Sequence, residues 1–366
     1  MRVWLVTRYE DARAALADSR LAKDGAVVGH LFQRNTVPGG SPRSVEPRTA
    51  GHMLNTDPPA HTRLRTLVSK AFTPVRISGL RPRVEALSAA FLDALAGREE
   101  VDLVDDYAFP LAITVMCELL GLPEGDREQF RQWTQDYNST GAPVAVTSAA
   151  RSITAYVDGL IEEKRRMLGD DLLSALIEAR DVDDRLSDAE LVAMVFLLLS
   201  AGHETTVNLI ANGMRALLHH PDQLARLRSD PALLPQAVEE FLRYDGPVNL
   251  ATYRFTTMPV TIGGVEIPEK ELVLVGVASA NRDGDRFSAP DRLDVGRTPN
   301  HHLAFGAGAH YCLGASLARQ EGEVAFRDWL RRYSRIEAAV PLEEIRYRQS
   351  LLMRGPESLP LRVHTG

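Results

Sequence analysis

The sequence predicts a mainly α protein with small β-sheets. Apolar residues recur at helical spacing over six stretches between residues 60 and 179, and one further helical pattern runs unbroken from 187 to 220. Strand-like alternation is confined to short runs, mostly between 251 and 275. With 366 residues, 45% of them apolar and 25% charged, the chain can bury a substantial core. A formal charge of -7 and an isoelectric point near 5.8 argue against nucleic acid as the main partner, because phosphate binding needs a concentrated basic face.

Residues 4–7 read as a short strand, and 9–17 as a helix with Ala12, Ala15 and Leu16 on one face. Residues 24–51 carry Gly, Pro and Ser with little periodicity and are expected to form a long loop, functional or disordered. Helices are expected over 60–71, 77–95, 107–120, 124–137, 144–168 and 171–179. Ser187 and Glu190 match a capping box that opens the long helix, and Pro221 should stop it. At about 1.5 Å per residue that helix would be roughly 50 Å long, and its apolar character places it through the middle of the protein. Pro235 sits where a first-turn proline is tolerated, in a helix ending at 244. Strands are expected at 251–255, 260–262, 265–267 and 272–275, with Gly263-Gly264 as a hairpin turn. A last helix covers 314–333, and the tail over 345–363 reads as short strands.

The longest nearly uninterrupted apolar run, 191–202, falls short of the roughly 18–20 residues needed to cross a bilayer. No membrane span or anchor is expected, and a cytoplasmic location fits. Cys117 and Cys312 lie too far apart in sequence to suggest a disulfide framework.

The chemistry concentrates at Phe305-Gly306-Ala307-Gly308-Ala309-His310-Tyr311-Cys312-Leu313-Gly314, which leads straight into a helix. A cysteine just before a helix meets unpaired N–H groups and the positive end of the helix dipole, both of which favour thiolate. Gly306 and Gly308 permit backbone conformations closed to other residues, and Gly314 lets a flat ligand approach the chain. One thiolate is a poor site for structural zinc but suffices as an axial ligand to haem iron. His301, His302, His310 and Cys312 match no usual zinc spacing, and Cys117 fits an inert core position.

A second constellation, Ala201-Gly202-His203-Glu204-Thr205-Thr206, stands inside the long helix. Gly costs about 1 kcal/mol against Ala there, and Thr can divert backbone hydrogen bonds, so the helix should bend or open. Glu240 and Arg243 stand at i and i+3, close enough to pair on one helix face.

The cysteine segment resembles the cytochrome P-450 motif Phe-Gly-x-Gly-x-His-x-Cys-x-Gly at every defined position. The match continues through Leu317-Ala318-Arg319, and similarity of layout extends from Trp4 to the carboxyl end. The resemblance implies a single cytochrome P-450 domain over residues 1–366, with a long central helix over haem and the cysteine loop beneath it. It also implies an amino-terminal helix and strand that have no counterpart ahead of Met1. Cys312 would be the proximal ligand of haem b, with Phe305 packing near the sulfur and Gly306 and Gly314 shaping the cradle. His61, Arg65, Arg254 and His310 would meet the propionates. Ala201 and Gly202 would line the oxygen pocket, Thr205 would hydrogen-bond the bound oxygen, and Glu204 would relay protons to it. Glu240, Arg243 and Arg297 would form a buried structural triad.

The implied activity is insertion of one oxygen atom from O2 into an apolar small molecule. Electrons would come indirectly from NAD(P)H through a ferredoxin and a ferredoxin reductase. Similarity to enzymes that tailor macrolides and other polyketides points to a secondary metabolite. Substrate contacts are expected from the loop 24–51, from 139–144, from Val248, Leu250 and Ala251, and from Leu351 and Leu352. An H2O2-dependent peroxygenase and a non-catalytic haem sensor are the alternatives, and the Glu204-Thr205 pair weighs against both.

Overall fold

The structure is a computed structural model that describes residues 2–35, 47–138, 143–178 and 186–365. Helices form its body and three small sheets flank them. The largest sheet has the order Trp4–Val6, Leu272–Val275, Arg254–Thr256, Leu21–Ala22; its first pair is parallel and the others antiparallel. A second sheet places Pro360–His364 between Glu100–Asp102 and Arg335–Ala338. The third is the hairpin Val260–Ile262 with Val265–Ile267, turned by Gly263 and Gly264, both at positive φ.

Several expected helices stand as read, among them Tyr9–Ala17 and Ala60–Ala71. Others divide where proline or glycine intervenes. The stretch 77–95 becomes Pro74–Gly79 and Arg81–Ala94, with Pro82 in the first turn of the second piece. The stretch 107–120 splits into a wide π-type turn, Leu103–Ala108, and the helix Phe109–Leu120, which has Pro110 in its first turn. Proline lacks the N–H a helix interior needs but suits a helix start. For the same reason Pro221 stops the long helix, as expected, and opens a further one, Pro221–Ser229, that the sequence pattern did not show.

The expected loop 24–51 is a correction. Its described part contains the helices Gly25–Asn35 and Pro47–Ala50. The buried set Val28, Leu31 and Phe32 supplies a helical face that Gly25 and Gly29 had obscured. The strand expected at 251–255 begins later, at Arg254, and the tail 345–363 contributes isolated bridges and one strand, Pro360–His364. The short strands Leu21–Ala22, Glu100–Asp102 and Arg335–Ala338 carried too few residues to show alternation.

The long helix is present but divided. Asp188–Gly202 opens on the Ser187/Glu190 capping box, and after a break at His203 the chain continues as Glu204–His219. Every residue of 191–200 is buried. Over Asp188–His219 the helix is long and apolar enough to cross a membrane by composition, yet 83% of its most apolar window lies inside the fold, as befits a core helix. Its second half packs against Leu234–Tyr244 and Ala315–Arg332. A Cβ on Gly213 would collide with Phe241 and Phe326, whose rings lie 4.6 Å apart, so the missing side chain sets this close approach. Burying each such aromatic contributes about 1.5–3 kcal/mol.

Candidate active site

The cysteine loop is shaped by its backbone. Gly306 and Gly308 both hold positive φ, and a Cβ on Gly308 would lie 2.8 Å from Ala17 Cα. The Cys312 N–H donates to the Phe305 carbonyl (2.9 Å), and the Tyr311 N–H to that of Gly308 (3.1 Å), which closes the loop on itself. Cys312 has accessible surface yet lies deep in the protein. Burial pushes its thiol up, while the Gly314 N–H, Arg65 and Arg319 pull the other way and favour thiolate. The nearest neighbour a Cβ on Gly314 would meet is Cys312 Sγ, at 4.0 Å, so the chain beside the sulfur is clear.

Behind the loop stands an ion pair that sequence reading passed over. Arg319 donates to both oxygens of Glu239 (2.6 and 2.8 Å), and His302 lies 3.1 Å from the same carboxylate. Burial pushes the Glu239 carboxyl up, but these partners outweigh it and hold it down at about 2. The Arg319 guanidinium also covers the Phe305 ring at 4.5 Å. Arg319 closes the match to the family motif, but 80 residues separate it from Glu239, so spacing could not reveal the pair. His302 faces Glu239 and His310 stacks on His61 at 4.2 Å, so these two histidines face different partners.

His61, Arg65, Arg254 and His310 gather near the cysteine, joined by Lys23, which sequence reading did not assign. Burial and the charges of Lys23, Arg254 and Arg65, with His61 close by, push His310 down to about 2. Burial brings Arg254 down to about 10, and its guanidinium donates to the Thr252 carbonyl (3.1 Å). Arg65 has no hydrogen bond or ion pair among the described residues, and His61 Nε2 is buried without a partner. Buried cations without anions are costly, so this donor set fits a ligand that brings carboxylates. A haem brings two, and the adjacent thiol offers the axial donor, so the residues fit that group.

The break in the long helix has a local cause. Thr205 Oγ1 donates to the Ala201 carbonyl (3.1 Å), diverting it from the helix ladder. A Cβ on Gly202 would collide with Met116, so Gly202 serves packing, whereas Ala201 lines a cavity. Glu204 is buried, with Arg348 Nη1 3.5 Å from Oε1, a partner invisible in sequence. His203 is held between the Leu199 carbonyl (3.0 Å) and Thr134 Oγ1 (3.2 Å), and burial brings it down to about 4.

Glu240, Arg243 and Arg297 come together. Arg243 donates to both Glu240 oxygens (2.7 and 2.8 Å) and Arg297 Nε to both at 3.1 Å; the Asp294 N–H and Asn300 add further bonds.

The cavity beside Ala201 is lined by Leu351 and Leu352 as expected, and by Val28, Phe32 and Thr49 from the 24–51 stretch. Of the stretch 139–144, residues 139–142 lie outside the described residues; Val146 and Thr147 just beyond line the cavity. Val248, Leu250 and Ala251 do not line this cavity. Val248 and Leu250 form bridges to Met353 and Gly276, and Ala251 packs on the core beneath the largest sheet, while Thr252 and Tyr253 take the cavity wall.

A thiol-bearing glycine loop before one helix, beneath a second helix opened at Ala-Gly-His-Glu-Thr, is the arrangement of a haem-thiolate protein. The chain matches the Cytochrome P450 family over residues 137–359 and belongs to that family, as a monooxygenase. It is 51% identical over 359 residues to Cytochrome P450 107B1 of Saccharopolyspora erythraea, covering 98% of this chain and 89% of that protein. It is 39% identical over 362 residues to the Polyketide biosynthesis cytochrome P450 PksS of Bacillus subtilis, covering 98% and 89%. The solved structure of the tirandamycin C-bound P450 monooxygenase TamI is 48% identical and superposes with a TM-score of 0.92, covering 99% of this chain and 90% of that one. The family uses haem and O2, with reducing equivalents delivered by a partner.

Proposed function

We propose that this chain is a haem-thiolate monooxygenase that inserts one oxygen atom into an apolar secondary metabolite of polyketide or macrolide type. The observation that carries the reading is the placement of one thiol and a group of unanswered cations within electrostatic reach of each other, Arg65 acting on Cys312, His61 and His310 alike. Haem, when bound, supplies the iron at which O2 is activated, with thiolate electron density favouring O–O cleavage. Cys312 would hold the iron through its sulfur; burial pushes its thiol up, and the Gly314 N–H, Arg65 and Arg319 oppose that shift. His61, Arg65, Arg254 and His310 would meet the two carboxylates of the haem. Thr205 Oγ1 holds its proton toward the Ala201 carbonyl and can pass it into the opened helix. Glu204, steadied by Arg348, resupplies that proton.

The substrate lies in the cavity walled by Phe32, Leu54, Leu197, Leu351 and Leu352. Its mainly apolar lining supports a hydrophobic substrate, and the name of PksS supports the metabolite class. Electrons arrive from a ferredoxin and its NAD(P)H-dependent reductase. The test is the carbon monoxide difference spectrum of the reduced protein, wild type against Cys312→Ser. A red-shifted Soret band in wild type alone is expected, and the same band in both proteins would remove Cys312 from the iron. For the relay, Thr205→Ala should consume NAD(P)H without matching product; unchanged coupling would end that assignment.

A further inference from the structure

Side chains reach the helix carbonyls on either side of the break, and one of those side chains lies outside the acid-alcohol pair. In an unbroken helix the carbonyls of Leu199 and Ala201 would accept backbone N–H groups four residues on. Here Thr205 Oγ1 donates to the Ala201 carbonyl (3.1 Å), and Nδ1 of His203 lies 3.0 Å from the Leu199 carbonyl. A carbonyl can only accept, so Nδ1 carries the proton. Burial brings His203 down to about 4, so near neutral pH the ring is uncharged and Nε2 is left as an acceptor.

Nε2 lies 3.2 Å from Thr134 Oγ1, on the helix Arg127–Asn138. The same hydroxyl is 2.8 Å from the Phe130 carbonyl and 3.1 Å from that of Arg131. A proton turned to either carbonyl would set two lone pairs against each other at Nε2, so Thr134 donates to the ring. Thr134 is 1% exposed and His203 3%, and at such depth an unmade hydrogen bond is costly. Phe109 packs edge-on against the ring, with 6.1 Å between centroids. Tyr137, one turn beyond Thr134 on the same helix, lines the substrate cavity, as do Ser200 and Ala201 at the break. The His203 ring thus bridges a helix of the cavity wall and the opening in the long helix.

We propose that His203 is a positioning residue for oxygen activation, tying the opened turn that carries Glu204 and Thr205 to the cavity wall through Thr134. The proposal rests on the haem-thiolate reading for what Glu204 and Thr205 do. His203 bonds to Leu199 and Thr134 rather than to either member of the pair, so it acts through the backbone just ahead of them. A ring bonded at both nitrogens has one orientation, and that orientation limits the path of the chain from Leu199 to Glu204. Packing alone would ask only for an apolar group of similar size.

The experiment compares wild type with His203→Leu, His203→Asn and Thr134→Val, each as the reduced, carbon monoxide-bound holoenzyme, by the infrared C–O stretch. That vibration responds to the dipoles of the opened turn. His203→Leu should move or split the band, and Thr134→Val should move it the same way by less. His203→Asn keeps an N–H that can reach the Leu199 carbonyl and should restore most of the wild-type position. Amide hydrogen exchange over residues 199–207 should quicken roughly tenfold in His203→Leu and less than about threefold in His203→Asn. A C–O band that stays in place in His203→Leu would overturn the proposal, and quickened exchange or lost stability in urea beside it would assign His203 to packing alone. Equal displacement of the band by Leu and Asn would overturn it too, and no effect of Thr134→Val would cut the link to the cavity wall. Amide exchange does not depend on iron ligation, so an absent red-shifted Soret band would sink the haem-thiolate reading separately.

Discussion

At Glu240 every charge is answered. Arg243 and Arg297 each reach both carboxylate oxygens, and the Asp294 N–H and Asn300 complete the shell. Arg243 spends its remaining donors on the carbonyls of Asn281, Pro290 and Arg292. Around His61 and His310, by contrast, Lys23, Arg65 and Arg254 stand together and depress the histidines beside them, with Asp57 the opposing charge. Both regions bury charge in the same low-dielectric interior. A cluster whose charges cancel within the chain is a brace, while one whose cations outnumber its anions is prepared for something the chain does not itself supply.

Breaking the brace should have the largest effect. Glu240→Ala leaves two buried guanidinium groups without their anion, and a loss of about 3–5 kcal/mol or a failure to fold is expected in urea denaturation. A loss below about 1 kcal/mol would mean the triad is not a brace. The opposite sign is expected at the other cluster. Arg254→Met should leave the haem-free protein as stable as wild type or more so, yet lower haem affinity roughly 10- to 100-fold in a haem titration. Equal destabilisation of the haem-free protein would erase the distinction between the two regions.

Acidity sharpens the same contrast. His52 takes up a proton near 6.5 when unfolded but only near 3 when folded, because burial and Lys23 oppose its charge. The unfolded chain therefore binds more protons between these values, and stability falls as pH drops from 6.5 toward 3, by up to about 1.4 kcal/mol per pH unit. His52→Gln should flatten the slope measured by denaturation at several pH values, and Lys23→Met should lessen it by removing part of the cause. The smallest effect is expected at an exposed pair. Arg335 donates to Glu337 at 2.8 Å in solvent, and Arg335→Ala should cost less than about 1 kcal/mol in the same denaturation.

The cysteine loop and the break at 201–205 were legible in sequence because each is a local device. Glycines at 306 and 308, a cysteine ahead of a helix, and a threonine four residues from Ala201 act within a few residues of themselves. Helix periodicity was legible for the same reason, and it failed where glycine obscured an apolar face, at Gly25–Asn35. Arg348 beside Glu204 was not legible, since 144 residues separate them. Nor was the wall at Thr252 and Tyr253 in place of Val248, Leu250 and Ala251, which depends on how the strand enters the sheet.

By itself, then, the sequence determined the α-rich body, the capped central helix, the thiol at the head of Ala315–Arg332 and the acid-alcohol pair, all of which follow from backbone conformation and short-range hydrogen bonding. Beyond the Glu240–Arg243 pair at i and i+3, tertiary structure decided which polar side chains meet. Glu239 with Arg319, Glu204 with Arg348 and Lys23 with Thr252 are pairs made by folding. Electrostatic energy depends on separation in space and on burial, and neither can be read from separation along the chain.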